Sequence, residues 1–236
     1  KYLSELTEDK ILNELTLYNL LCRKFIRNKI SIVFLTYNRL ESLKECLNSY
    51  LNILEEEYIL ELIIFDNNSD KSTREFLKYY NNKHKKIKII YNDKNIGVCS
   101  GRIELFKKVQ GDIICSLDSD AKLLDKEFFN KVIELLYDEK YGLIGISGAY
   151  INSWEFQDQS DIDNKDMNDY YCHHISGCCQ IFRKDLFEIG FGLDKNYGFF
   201  WCEDTDLSLQ SIDLNKINYR INGSKYIHHE WGGSGK

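Results

Sequence analysis

Ile30-Ser-Ile-Val-Phe-Leu-Thr36 is a short, nearly continuous apolar run that passes straight into the polar residues Tyr37 and Asn38. Such a run, too short for a buried helix, reads as a strand covered on both faces, and strands of that kind belong to parallel sheets flanked by helices. The chain then repeats the pattern. A helix is expected from about Arg39 to Ile53, and Leu60-Glu-Leu-Ile-Ile-Phe65 forms a second strand ending on Asp66. Another helix leads to the strand Ile87-Lys-Ile-Ile-Tyr91, a further helix runs from about Ser100 to Val109, and Asp112-Ile-Ile-Cys-Ser-Leu117 ends on Asp118. This order predicts an α/β fold with a mainly parallel central sheet and right-handed crossovers. Ligands of such sheets sit at the carboxyl ends of the strands. Three of those ends carry polar groups here: Thr36-Tyr37-Asn38, Asp66-Asn67-Asn68-Ser69-Asp70 and Asp118-Ser119-Asp120.

Before this core, Ile11, Leu15, Tyr18, Cys22 and Phe25 recur at spacings of three and four, which predicts a helical extension over residues 1–28 and leaves a dimer helix as its alternative use. After Tyr150 the stretch 152–170 is acidic and polar and reads as a long loop, and one helix is clear beyond it, near Asp204 to Ile212. One domain over 29–236 is expected, with a nucleotide-binding half of about 29–120 and an acceptor and catalytic half of about 121–236.

A formal charge of −6 argues against a nucleic-acid partner, which needs a basic face. The lysines at 83, 85, 86 and 88 read as a solvated face. Eight cysteines lie mostly inside apolar runs, as buried free thiols of a reducing compartment do. The group Cys172, His173, His174, Cys178 and Cys179 lacks the paired short spacings of a structural zinc site. No stretch approaches the roughly 20 apolar residues of a membrane span, and no signal peptide opens the chain. The expected location is the cytoplasm, with the inner face of a membrane as the alternative.

Three segments carry chemistry. Asp118-Ser119-Asp120 places two carboxylates just past a buried strand, where they can take a hard divalent cation and sugar hydroxyls; a turn with capping aspartates is the bland alternative. Glu203-Asp204-Thr205-Asp206 opens a helix, where the dipole favours acids, but three acids in four positions behind Tyr197-Gly-Phe-Phe-Trp201 point to a general base at a pocket wall. His228 and His229, followed by Glu-Trp-Gly-Gly-Ser234, supply imidazoles that can ligate a metal or serve structurally.

Taken in order, these segments resemble the family 2 glycosyltransferases of the GT-A fold, from about Lys29 to Gly233. The resemblance rests on Ser31-Ile-Val-Phe-Leu-Thr-Tyr-Asn-Arg39, Ile63-Ile-Phe-Asp-Asn-Asn-Ser-Asp70 and Asn95-Ile-Gly-Val-Cys-Ser-Gly-Arg102. It continues through Gly111-Asp-Ile-Ile-Cys-Ser-Leu-Asp-Ser-Asp120, Ser176-Gly-Cys-Cys-Gln-Ile-Phe-Arg183 and Glu203-Asp-Thr-Asp-Leu207. It implies a nucleotide-diphospho-sugar transferase fold and an inverting transfer from a UDP-sugar to a hydroxyl of a glycan, glycolipid or protein, assisted by Mn2+ or Mg2+. By the same resemblance Thr36, Tyr37, Asn38, Asn95 and Arg102 line or shape the nucleotide pocket. Asp66 accepts from a uracil imide, and Asp118 holds ribose or donor sugar. Asp120 binds the metal, which His228 or His229 completes; Asp204 is the base and Glu203 orients a substrate. Ile103 departs from the family, where asparagine often follows the arginine. Two other classes share part of the pattern: a nucleotidyltransferase, which would carry a glycine-rich loop where Thr36-Tyr-Asn-Arg39 stands, and a non-catalytic sugar-binding module, which has no need of acids at 118, 120 and 204 together.

Overall fold

The computed structural model describes residues 29–152, 155–158, 169–199, 202–222 and 227–229, with backbone alone at 152, 155–158 and 227–229. The expected extension over 1–28 lies outside them. In chain order the elements begin β1 (Ile30–Thr36), α1 (Leu40–Tyr50), β2 (Ile59–Asp66), α2 (Lys71–Lys83), β3 (Ile87–Tyr91), α3 (Val98–Phe106) and β4 (Ile113–Asp118). There follow β5 (Ala121–Leu123), α4 (Glu127–Leu136), β6 (Tyr141–Gly145), β7 (Gly148–Asn152), β8 (Glu155–Asp158), β9 (Tyr170–Cys172), β10 (His174–Ile175) and β11 (Cys179–Arg183). The last are α5 (Glu203–Asp213), β12 (Ile217–Arg220) and β13 (Ile227–His229).

Eight strands form one sheet in the order β3-β2-β1-β4-β11-β6-β12-β9. The β3-β2-β1-β4 half is parallel throughout, as the repeated strand–helix pattern predicts. Beyond β4 the sheet is mixed: β11 runs antiparallel to both β4 and β6, and β12 is parallel to β6 but antiparallel to β9. The expected polar loop after Tyr150 is interrupted by β8, which pairs with β7. The first helix also ends sooner than its apolar spacing suggests, passing at Leu51 into a 3-10 turn that reaches Glu55.

Both faces of the sheet are covered, because successive side chains of a strand point to opposite faces. Ile30, Ile32 and Phe34 of β1 join the larger core with Leu43 and Leu47 of α1 and Phe128 and Val132 of α4. Val33 joins the second core, with Leu105 of α3 and Leu207 of α5. Burial on both sides explains why these strands are continuous apolar runs, and why the chain turns polar only where the sheet ends. There the register sets the site: Thr36 pairs with Asp66, Asp66 with Tyr91, and Leu35 with Asp118, so one row of strand ends carries the polar groups.

Candidate active site

Three loops are stapled to one another at this row. Asn38 donates its N–H to Ser69 Oγ (2.8 Å) and accepts from Asp70 N–H (2.8 Å), joining the ends of β1 and β2. Asn67 Nδ2 donates to Asn95 Oδ1 (2.9 Å) and Gly97 O (3.1 Å), which brings the loop before α3 alongside. Gly97 holds φ +83°, and a Cβ there would stand 2.7 Å from Phe199 Cα, so only glycine allows this close approach. Asn38 (φ 57°), Arg39 (φ 56°), Asn68 (φ 71°) and Cys202 (φ 64°) also adopt left-handed backbone. Asparagine tolerates that region; arginine and cysteine do so at a cost, and such residues gather at functional sites.

Arg102 is the centre of the charged cluster. Its buried guanidinium donates from Nη2 to Asp118 Oδ1 (2.9 Å) and Gly177 O (2.8 Å), and Nη1 lies 3.6 Å from Glu203 Oε1. Gly177 N–H donates in turn to Asp204 Oδ2 (2.9 Å), while Thr205 N–H donates to Oδ1 (2.8 Å). A Cβ at Gly177 would lie 3.0 Å from Arg102 Nη1 and 3.4 Å from Asp204 Oδ2, so the missing side chain lets one peptide serve both groups. Four segments separated by up to about a hundred positions in sequence meet here.

The three acids of α5 thus have different surroundings. Asp206 accepts from Gln210 Nε2 (2.6 Å), and Gln210 is paired with Gly192 in both directions, a structural clamp on the 190s segment. Glu203 is buried against Arg102, whereas Asp204 is 24% exposed and Asp206 is also partly exposed.

Asp118 is 42% exposed, whereas Asp120 is 3% exposed and accepts from Arg39 Nη2 at 2.9 Å. The backbone of β13 pairs antiparallel with β5 in the register His229 to Ala121 and His228 to Lys122, Ala121 being the residue that follows Asp120 in the chain. Among the described residues no cluster of three His, Cys, Asp or Glu side chains is arranged to hold a metal ion. Hard carboxylate oxygens such as those of Asp118 and Asp120 suit Mn2+ or Mg2+ by chemistry, and Arg39 now occupies one oxygen of Asp120.

Several residues expected to touch the nucleotide are engaged within the protein. Thr36 is buried, and Asn38 and Asn95 make the staples described above. Asp66 is 0% exposed: Oδ1 accepts from Ser69 N–H (3.0 Å) and Oδ2 from Arg74 Nε (2.7 Å). Arg74 also donates to Asn92 O and lies 5.8 Å from the centroid of the Tyr91 ring. A base can reach Asp66 only if Arg74 moves. Tyr37 and Asp118 are the members of the expected set that face solvent. Sequence reading missed Arg74, whose signal is its place one helical turn past the cap Asp70, and took Gly177 only as part of the Ser176–Arg183 motif without giving it a role.

The histidine and cysteine group at 172–179 does not converge on one point. Cys178 and Cys179 are buried, His173 Nδ1 accepts from Ile151 N–H (3.2 Å), and burial pushes the Cys172 thiol up to about 12. Seven cysteines are described, all of them free; six are buried as expected, and Cys202 is exposed. A cavity of about 570 Å³ opens on the far face of α3, lined by Ser100, Ile103, Lys107 and the 190s segment; it touches none of Asp118, Asp120, Glu203 or Asp204.

The sequence model of the family described as Glycosyl transferase family 2 matches residues 31–191. The chain belongs to that family. A dolichol-phosphate mannosyltransferase of Pyrococcus furiosus is 28% identical over 197 residues, covering 82% of this chain and 51% of that protein. Among solved structures, GalNAc-T7 with UDP, GalNAc and Mn2+ superposes with a TM-score of 0.69 at 14% identity, over 85% of this chain and 43% of that one. The mannosyltransferase PcManGT of Pyrobaculum calidifontis, in complex with GDP-Man and Mn2+, gives 0.68 at 16% identity, over 95% and 65%. Both likenesses establish the GT-A glycosyltransferase fold. The chain spans about half the length of the curated relatives it matches. No described helix is long and apolar enough to cross a membrane.

Proposed function

We propose that this domain transfers a sugar from a UDP-sugar to an acceptor hydroxyl with inversion at the anomeric carbon, assisted by Mn2+ or Mg2+. The observation that carries the reading is the junction at Gly177, which ties Arg102 and Asp118 to Asp204, as a site that takes donor and acceptor side by side requires. Asp118, exposed beside Arg102, binds donor sugar or ribose. Asp204 removes the acceptor proton, and the oxygen so activated attacks opposite the diphosphate. Arg102 keeps Glu203 in place, while Glu203 orients a substrate hydroxyl. Asp120, with His228 or His229, would hold the cation, whose charge offsets that developing on the leaving diphosphate.

The two solved relatives carry different bases, UDP and GDP, so the fold leaves the base open. The uridine preference rests on Asp66 meeting an imide N–H after Arg74 swings away, with Tyr37 against the ring. The acceptor is a glycan, glycolipid or protein, and a second copy of the chain is a further candidate partner. Thermal shifts with UDP, CDP, GDP and ADP, each with Mn2+ or chelator, test the donor side. A ligand at 100 times its Kd stabilises the fold by about 2.7 kcal/mol. UDP with Mn2+ is expected to shift the midpoint most; equal shifts across the bases contradict the role of Asp66, and shifts unchanged by chelator contradict the metal.

A further inference from the structure

His174 stands next to Asp204, and nothing above gives it a task. Its strand is fixed against the first turns of α5: Ile175 N–H donates to Ser208 Oγ (3.0 Å), and Ser208 Oγ donates to Asp204 O (2.7 Å). Gln180 Nε2 spans the same gap, donating to Ile175 O (2.9 Å) and Asp204 O (3.3 Å). In that frame His174 Nε2 lies 3.9 Å from Asp204 Oδ2, and Nδ1 lies 3.4 Å from Thr205 Oγ1. If the Thr205 hydroxyl donates to Nδ1, the ring hydrogen resides on Nε2, which at 3.9 Å from the carboxylate acts through electrostatic attraction and not through a full hydrogen bond. The imidazole is 13% exposed, which limits competition from water.

We propose that His174 is a positioning residue for Asp204: its Nε2–H, oriented by Thr205, holds the carboxylate in the rotamer that also receives the Gly177 and Thr205 N–H groups. The inference rests on Asp204 being the base. The acceptor proton passes to Asp204, and His174 exchanges none. Other charged and titratable groups on the elements around β10 are tied elsewhere. Glu203 meets Arg102, Asp206 meets Gln210, and Arg220 of β12 donates to Ile146 O (3.3 Å) and covers the Tyr170 ring. His173 and Tyr150 stack edge to face with each other.

Histidine side-chain NMR on the uniformly ¹⁵N-labelled domain, without donor or acceptor, tests the geometry. Neutral His174 should show the Nε2–H tautomer. Its titration midpoint should fall by about 0.7 unit or more in Asp204→Asn, the water-screened limit for unit charges about 4 Å apart, and stay unchanged in Asp206→Asn. An Nδ1–H tautomer, or one midpoint in all three proteins, overturns the proposal. Release of UDP from the UDP-sugar that gives the largest thermal shift tests the consequence. His174→Phe should lower the rate about 10-fold with unchanged UDP affinity, His174→Gln should recover most of it through its amide N–H, and His174→Phe should add nothing in an Asp204→Asn background. Equal losses in both backgrounds would show that His174 acts independently of Asp204. Because the NMR result needs no turnover, a failed transfer reaction and a failed positioning role give different outcomes.

Discussion

Replacing Arg102 by methionine keeps the aliphatic stem and removes the charge on which the cluster is built. The largest loss is at Glu203, a buried carboxylate 3.6 Å from Arg102 Nη1. At an effective dielectric of about 20 that attraction is about 4–5 kcal/mol before desolvation is counted. Deleting one partner of a buried ion pair costs about 3–5 kcal/mol, because the other charge stays buried without compensation. The pair with Asp118 adds little, since that carboxylate is 42% exposed and water replaces the lost donor. Gly177 O also loses its 2.8 Å donor. The expected destabilisation is therefore about 3–5 kcal/mol, a fall in melting midpoint of roughly 6–20 °C for a domain of this size. Urea unfolding followed by circular dichroism measures it. Arg102→Lys should recover part, and Arg102→Met with Glu203→Leu should recover more, since the stranded carboxylate is gone. An Arg102→Met protein within about 1 kcal/mol of wild type would refute the claim that this guanidinium balances Glu203.

At the opposite end of the sheet, Glu61 is buried and accepts from Ser31 Oγ (2.6 Å), Lys88 Nζ (2.6 Å) and Gln110 N–H (2.8 Å). Burial pushes its carboxyl up, but the Lys88, Ser31 and Gln110 hydrogen bonds outweigh this and leave it below the ordinary value of 4.5. A depressed carboxylate contributes stability that is present above its unfolded pKa and lost as pH falls through the folded one. Glu61→Gln should thus cost about 1–3 kcal/mol at pH 7, and the gap to wild type should close below about pH 4; a gap constant with pH contradicts the assignment. Gly97→Ala should cost about 1–3 kcal/mol through its positive φ and the Phe199 backbone, and a neutral result in urea melts would mean that the 198–199 segment yields freely. Asp120→Ala should abolish the Mn2+-dependent part of the UDP thermal shift while leaving the unliganded midpoint within a few degrees; an unchanged Mn2+ effect would remove Asp120 from the metal site.

The parallel half of the fold was legible because its strands are buried on both faces, which forces continuous apolar runs, and because polarity returns at the strand ends. The far half was less so. β9, β10 and β12 are two to four residues long, and β8 lies inside a polar stretch, so neither period nor hydrophobicity marks them. Acids 118, 120, 203 and 204 stood out in the sequence, but the groups they meet inside the fold did not. The partner of each is remote in sequence: Arg39 for Asp120, Arg102 for Asp118 and Glu203, Gly177 for Asp204. Asp66 shows the same limit, since its arginine partner is visible only once α2 is built. The lysine stretch near residue 88 reads as solvated until β2 and β3 pair and bring Lys88 against Glu61. His174, placed in sequence within a group that resembles metal ligands, owes its position to the pairing of β10 with β7 and to the contacts of β10 with α5.

The central claim is that Asp204 is the base of a glycosyl transfer at this site. Asp204→Asn keeps size and removes the basic carboxylate, its amide oxygen accepting only one of the Gly177 and Thr205 N–H groups, so an interaction used in the transition state is lost while donor binding is kept. The measurement is release of UDP from the preferred UDP-sugar, with donor affinity determined in parallel by calorimetry, for Asp204→Asn, Glu203→Gln and Asp206→Asn. The account predicts donor affinity within about twofold of wild type and a rate lower by about 10²-fold or more for Asp204→Asn, with Asp206→Asn much less affected. A fully active Asp204→Asn protein would contradict it.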